Sequence, residues 1–209
     1  MTRVYFVRHA QPEHDWEEDR TRPLTEEGKK DSAIVLEFLK DKKIDAFYCS
    51  PYKRSMDTIA EAADFFTKEI ITDERLRERE KGLDGNNHGM FRKRWADHNY
   101  HEEGVESIAM VQKRNIEALN EILLDNTDKD IVIGTHGTAL STILNFYDSN
   151  FGCEDFLRII DWMPYIIELD FEGDKMFGKQ EYCHVEKEFK GKQRVIDYSE
   201  LMKQIMDCR

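Results

Sequence analysis

The chain has 209 residues, 40% of them hydrophobic, enough for one domain with a real core and too many for a disordered chain. Its 31 basic and 43 acidic residues leave a net charge of −12, which disfavours nucleic acid and anionic membrane as partners. Only four apolar residues follow Met1-Thr2-Arg3, too short a run for a signal peptide or a membrane anchor.

In chain order, Val4-Tyr5-Phe6-Val7 reads as a strand buried on both faces, ending abruptly in Arg8-His9. Thr25 caps a helix whose first turn carries Glu26 and Glu27, and Ile34, Val35, Phe38 and Leu39 share one face behind it. Ile44 to Cys49 is a second buried strand. Ser50-Pro51 should cap and open the next helix, with Met56, Ile59, Ala60, Ala63 and Phe66 at helical spacing. Ile70-Ile71 suits a short edge strand. From about Gly82 to Gly104 the glycines, Asn86-Asn87 and three histidines suggest an irregular cap. Ile108, Val111, Leu119 and Ile122 mark a helix, Ile131-Val132-Ile133 a strand, and Leu140, Ile143 and Leu144 another helix. Tyr165 to Phe171 is strand-like, and Gly173-Asp174 suits a hairpin turn into Met176-Phe177. A short helix is expected from Ser199.

This alternation predicts an α/β fold. The expectation is a three-layer sandwich with a mixed, mainly parallel sheet and helices on both faces. One domain spans residues 1–209, with a small cap inserted at about 79–106.

Open α/β sheets place their chemistry beyond the carboxyl ends of the strands. Three such ends carry candidates. The first offers Arg8 and His9, and the second leads to Arg54 in the first turn of its helix. The third runs through Gly134-Thr135 to His136-Gly137. A lone arginine is ordinarily a solvated charge, so Arg54 gains its weight from these neighbours. Arginine forks, a helix N-terminus and two histidines suit a tetrahedral dianion, for which phosphate is the obvious occupant. Phosphoryl transfer needs mainly positioning and charge stabilisation.

These motifs resemble the histidine phosphatase superfamily, the phosphoglycerate mutase-like proteins. Its Arg-His-Gly reads Arg8-His9-Ala10 here. Its Leu-Thr-x-x-Gly is Leu24 to Gly28, and its Ser-Pro-x-x-Arg is Ser50 to Arg54. Leu76-Arg77-Glu78, Gly104-Val105-Glu106-Ser107 and His136-Gly137 follow in register. The resemblance implies hydrolysis of phosphate monoesters through a phosphohistidine. His9 would be the nucleophile and Glu78 the general acid. Arg8, Arg54 and His136 would bind the phosphoryl oxygens, with no metal or cofactor needed. A small-molecule phosphate ester is the implied partner. A mutase that returns the phosphoryl group to its product ranks lower, because Pro12, Glu13 and Asp15 do not fit the longer mutase motif. A non-catalytic binding module ranks lower still, because the nucleophile and both arginines are present.

Asp15 stands where many members of that superfamily have asparagine, and should point away from phosphate or touch a histidine. Leu83-Asp84-Gly85 replaces the usual aromatic-Glu-Gly, which leaves Glu80 as a rival to Glu78. Arg92, Lys93 and Arg94 read as a solvated basic run, with a substrate grip as the alternative. His14 and His88 are candidates for the cleft wall, and Trp16, Trp95 and Trp162 for packing. His98, His101 and Glu102 lack a further ligand at metal spacing. Cys49, Cys153, Cys183 and Cys208 show no ligand spacing either, and read as free thiols of a cytoplasmic protein. The sequence names neither the substrate nor the oligomeric state.

Overall fold

A computed structural model of the chain describes residues 1–81 and 88–188. Strand β1 (Thr2–Arg8) leads to helices α1 (Glu26–Asp31) and α2 (Ala33–Leu39). Next come β2 (Ala46–Cys49), α3 (Lys53–Phe65), β3 (Ile70–Thr72) and a 3-10 turn at Glu74–Leu76. The chain continues through α4 (His88–Ala96), α5 (Ile108–Asp125), β4 (Asp130–Thr135), α6 (Gly137–Tyr147) and α7 (Cys153–Ile159). A hairpin of β5 (Trp162–Glu172) and β6 (Lys175–Glu186) follows.

The six described strands form one sheet in the order β3-β2-β4-β1-β5-β6. β3, β2, β4 and β1 are parallel, and β5 and β6 form antiparallel pairs at the other end. Alternation along β1 shows why both faces are covered. Val4 and Phe6 join the core built by α4 to α7, whereas Tyr5 and Val7 face α2 and α3. The sheet, the helix layers on both faces and the mixed, mainly parallel pairing agree with the expectation from sequence. Ile70-Ile71 is indeed at a sheet edge.

Several local expectations are corrected. Helix α3 opens at Lys53 with Tyr52 at its cap, two residues later than Ser50-Pro51 suggests. The Ser50 hydroxyl accepts from the Tyr52 amide at 3.3 Å and also meets His136 at 2.7 Å. The stretch expected to be an irregular cap contains α4, whose Phe91 and Trp95 are buried against Phe156. Helix α7 is only seven residues long, too short for a helical period to stand out in the sequence. The hairpin turn at Gly173-Asp174 is as expected, but β6 runs on to Glu186. Residues 82–87, the side chain of His88 and the helix expected from Ser199 lie outside the described residues.

Thr25 caps α1 by accepting from the Gly28 amide at 2.8 Å, and its own amide donates to the Gln11 carbonyl at 2.9 Å. Gly28 lies against that same Gln11 backbone, where a Cβ would sit 2.3 Å from the carbonyl oxygen. The glycine is therefore needed for close approach rather than for an unusual dihedral. Gly28→Ala should gain ~1 kcal/mol of helix propensity. It should lose more, roughly 1–3 kcal/mol, to an overlap that no rotamer can relieve. The expected result is a lower urea midpoint with an unchanged m-value; a raised midpoint would show that α1 can move off Gln11.

Candidate active site

β1 and β4 pair in register with Arg8 opposite Thr135, so His9 and His136 leave adjacent strands at the same level. The His9 amide still donates to the Thr135 carbonyl at 3.1 Å. The two imidazoles meet edge to face with centroids 5.2 Å apart. The Ser50 amide donates to the Gly134 carbonyl at 3.0 Å, which brings the end of β2 to the same place.

His9 is buried, and its Nδ1 lies 2.7 Å from the Ala10 carbonyl oxygen. A carbonyl only accepts, so Nδ1 carries the proton and Nε2 the lone pair. Arg54 Nε donates to that Nε2 at 3.3 Å. Burial holds the His9 pKa well below the usual histidine value, and the Arg54 and Arg8 charges add to it. The ring is therefore a neutral base with a defined tautomer.

Arg8 donates to the carbonyls of Ile159 and Ile160 at the end of α7. Arg54, in the first turn of α3, is 3% exposed, and its Nη1 donates to the Asp19 carbonyl at 2.6 Å. Its Nη2 reaches the Asp19 carboxylate at 3.3 Å. The same carboxylate pairs with Arg22 at 2.8 Å and Lys81 at 3.7 Å. Burial alone would raise the Asp19 pKa, but the three cations hold it below the usual carboxylate range. Asp19 is thus an anion of the cleft, whereas Asp15 is exposed and outside it.

His136 is fully buried, and its Nε2 is 2.7 Å from the Ser50 hydroxyl. Its ring packs 5.2 Å from Tyr52. Burial lowers its pKa well below the histidine value, reinforced by Arg54 and His9.

Glu78 lines the cleft at the N-terminus of α6. Its carboxylate accepts from the amides of Thr138 at 3.0 Å, Ala139 at 3.2 Å and Arg79 at 2.7 Å. Glu80 is instead directed away, with its carboxylate 3.6 Å from Arg77 and more than half exposed. The loop carrying Glu78 is braced from below. Arg114 donates to the carbonyls of Arg75, Arg77 and Glu78 and holds Glu106 through two bonds of 2.8 Å. Glu106 also accepts from Arg77 and from the Glu80 amide.

The cleft is completed by Pro12, His14, Arg79, Thr138 and an apolar wall that includes Phe91, Phe156 and Met163. His14 is therefore on the wall. The basic run of the cap is not: Arg92 pairs with Glu154, Lys93 lies over Tyr100, and Arg94 is buried against Glu102. Arg94 departs from the expected solvated run, since it is 1% exposed. His98 packs on Trp95, and His101 bonds the Glu102 carbonyl. Trp95 and Trp162 pack, the latter stacked on His184, while Trp16 is exposed. Among the described residues, no three His, Cys, Asp or Glu side chains gather as a metal site.

Asp19, Arg22, Arg79, Lys81 and Arg114 belong to the site and its supports without a signal of their own in the sequence. Ser50 is visible as a helix cap and motif residue, with nothing in the sequence to say that it meets His136. Glu106 is visible only as part of a motif, with nothing in the sequence to say what it holds.

Residues 4–174 match the family model described as "Histidine phosphatase superfamily (branch 1)". The chain belongs to that superfamily. It is 28% identical over 206 residues to a protein of Hydrogenobacter thermophilus named putative phosphoserine phosphatase 2, covering 88% of this chain and 98% of the relative. The solved structure of Bacillus stearothermophilus YhfR superposes with a TM-score of 0.72 at 22% identity, over 85% of this chain and 95% of that one. Phosphoserine phosphatase from Entamoeba histolytica, solved with 3-phosphoglyceric acid, gives a TM-score of 0.71 at 20% identity, over 90% and 98% of the two chains. At these identities the two structures speak for the fold.

The neutral histidines make stability depend on pH. Their folded pKa values lie below the unfolded value of ~6.5, so below that pH the unfolded chain binds protons that the folded chain does not. Their contribution is complete above ~6.5 and falls as the pH drops. Urea midpoints should decline from pH 7 to pH 5, with each histidine adding up to ~1.4 kcal/mol per pH unit. His9→Asn should flatten that slope; an unchanged slope would mean His9 is charged in the folded protein.

Proposed function

We propose that this histidine phosphatase hydrolyses phosphate monoesters through a phosphohistidine on His9, without a metal. The observation that carries the reading is the Nδ1 contact of His9 to the Ala10 carbonyl, which leaves the Nε2 lone pair facing Arg54. That lone pair attacks phosphorus in line with the ester oxygen. The N–P bond forms, the P–O bond to the alcohol breaks, and Glu78 gives the leaving oxygen a proton. Water then attacks phosphorus, Glu78 takes its proton back, and inorganic phosphate leaves the ring. Arg8 and Arg54 hold the equatorial oxygens, with His136 beside them, and the amides at the start of α6 add partial positive charge. These groups supply the charge stabilisation that a metal would otherwise give.

Residues 79–106 act in this reading as the cover on the leaving-group side, with Phe91 on the cleft wall. Cys49, Cys153 and Cys183 are free thiols, which supports a cytoplasmic setting. No helix among the described residues is long and apolar enough to cross a membrane.

His9→Ala should abolish turnover of p-nitrophenyl phosphate, and alkaline quench of the wild type followed by mass spectrometry should find phosphate on His9. Phosphate on a serine or cysteine would overturn the mechanism. Acid quench is unsuitable, because phosphoramidates are acid-labile.

The general acid matters most when the leaving group is poor. Glu78→Gln should slow an alkyl phosphate by ~10²–10⁴ and an aryl phosphate with an acidic leaving group far less. Glu80→Gln should change neither, since its side chain faces Arg77. The opposite pattern would move the acid to Glu80.

A further inference from the structure

Arg8 and Arg54 are both buried beside His9, but they are held differently. Arg8 donates to the main-chain carbonyls of Ile159 and Ile160. Arg54 meets a carboxylate. Its Nη2 lies 3.3 Å from Asp19 Oδ2, while its Nη1 donates to the Asp19 main-chain carbonyl at 2.6 Å. That carbonyl bond and the Nε bond to His9 already fix the plane of the guanidinium. The carboxylate is not needed to orient Arg54. What it adds is a negative charge inside a cleft suited to anions.

Asp19 lines the same cleft as His9, Arg8 and Arg54. Its other oxygen, Oδ1, lies 2.8 Å from Arg22 and 3.7 Å from Lys81. The three cations outweigh burial and keep it ionised. A phosphoryl group on His9 Nε2 would share the Arg54 guanidinium with this carboxylate, and two anions on one buried cation repel. When phosphate leaves, Asp19 is also the group that keeps Arg54 from being stranded as an unpaired buried charge. Both effects favour the empty cleft over the filled one.

We propose that Asp19 is a resident anion that competes with the phosphoryl group for Arg54, so that the cleft binds inorganic phosphate weakly and releases it after hydrolysis. This rests on the phosphatase reading and adds to it the group that governs product release. Release is a step that limits many enzymes, and buried guanidiniums alone would slow it. Asp19 touches Arg54 rather than the reacting atoms, so it is a positioning residue whose charge acts on affinity.

Asp19→Asn keeps the size of the side chain and an oxygen for Arg54, and removes the charge. Calorimetric titration with inorganic phosphate should show binding ~10-fold tighter than in wild type, and KM for p-nitrophenyl phosphate should fall with it. A carboxylate that only braced Arg54 would give the opposite sign, weaker phosphate binding and a higher KM. Glu17→Gln removes an equal charge from an exposed position of the same loop and should shift phosphate affinity by about twofold at most. Unchanged or weaker phosphate binding in Asp19→Asn, or an equal tightening in Glu17→Gln, overturns the proposal. Should Asp19→Asn not fold, Asp19→Ser makes the same comparison, and wild type alone still decides: a phosphate dissociation constant below ~1 μM is incompatible with a competing anion. Binding needs no turnover, which keeps the two levels apart. Failure of wild type to turn over p-nitrophenyl phosphate sinks the phosphatase reading, whereas intact turnover with unchanged phosphate affinity in Asp19→Asn sinks this proposal alone.

Discussion

Positive charge held out of water is the constraint around which this molecule is organised. Arg8, Arg54 and Arg79 are each almost fully buried around one cleft, with two histidines kept neutral beside them. Uncompensated burial of this kind opposes folding. The fold answers it with oxygen atoms at fixed places. Main-chain carbonyls at the end of α7 take Arg8, Asp19 takes Arg54, and the carbonyls of Glu80 and Glu106 take Arg79. Carbonyls are dipoles rather than charges, so they hold a guanidinium in place without cancelling its field. An incoming dianion therefore meets a site that is already oriented and still electropositive.

The same logic explains the support beneath Glu78. In the proposed mechanism Glu78 both gives and takes a proton, so it has to keep one position through two steps. The Arg114 guanidinium joins three carbonyls of that loop to α5, and Glu106 neutralises the arginine. Burial would raise the Glu106 pKa, but its bonds to Arg114 hold it below the usual carboxylate range. A salt bridge at this depth adds little net stability, and its contribution here is fixed geometry.

The frame is legible in the sequence because apolar runs and helix spacing are local signals. Strands at Val4 to Val7 and Ile131 to Ile133, the Thr25 cap and the helix from Ile108 all stand where those signals put them. So does the convergence of Arg8, His9, Arg54 and His136, which follows from strands ending on one side of a parallel sheet. Pairing at a distance is what local signals do not carry. That Ser50 meets His136 depends on a residue 86 positions away. Asp19 and Arg79 look like surface charges until the loops around them close. Helix α4 looks irregular in sequence because its apolar residues are few and its basic ones pair with partners outside it.

Pairing between β1 and β4 has a consequence for how such a molecule can change. Arg8 lies opposite Thr135, and the ladder alone sets the distance between the two histidines. Everything from α4 to the start of α5 hangs between elements whose register it does not determine. That segment can lengthen, shorten or exchange its side chains while the histidines stay where the ladder puts them. If that stretch covers the leaving group as proposed, editing it would change which ester is received while the spacing of the two histidines stays fixed by the strands.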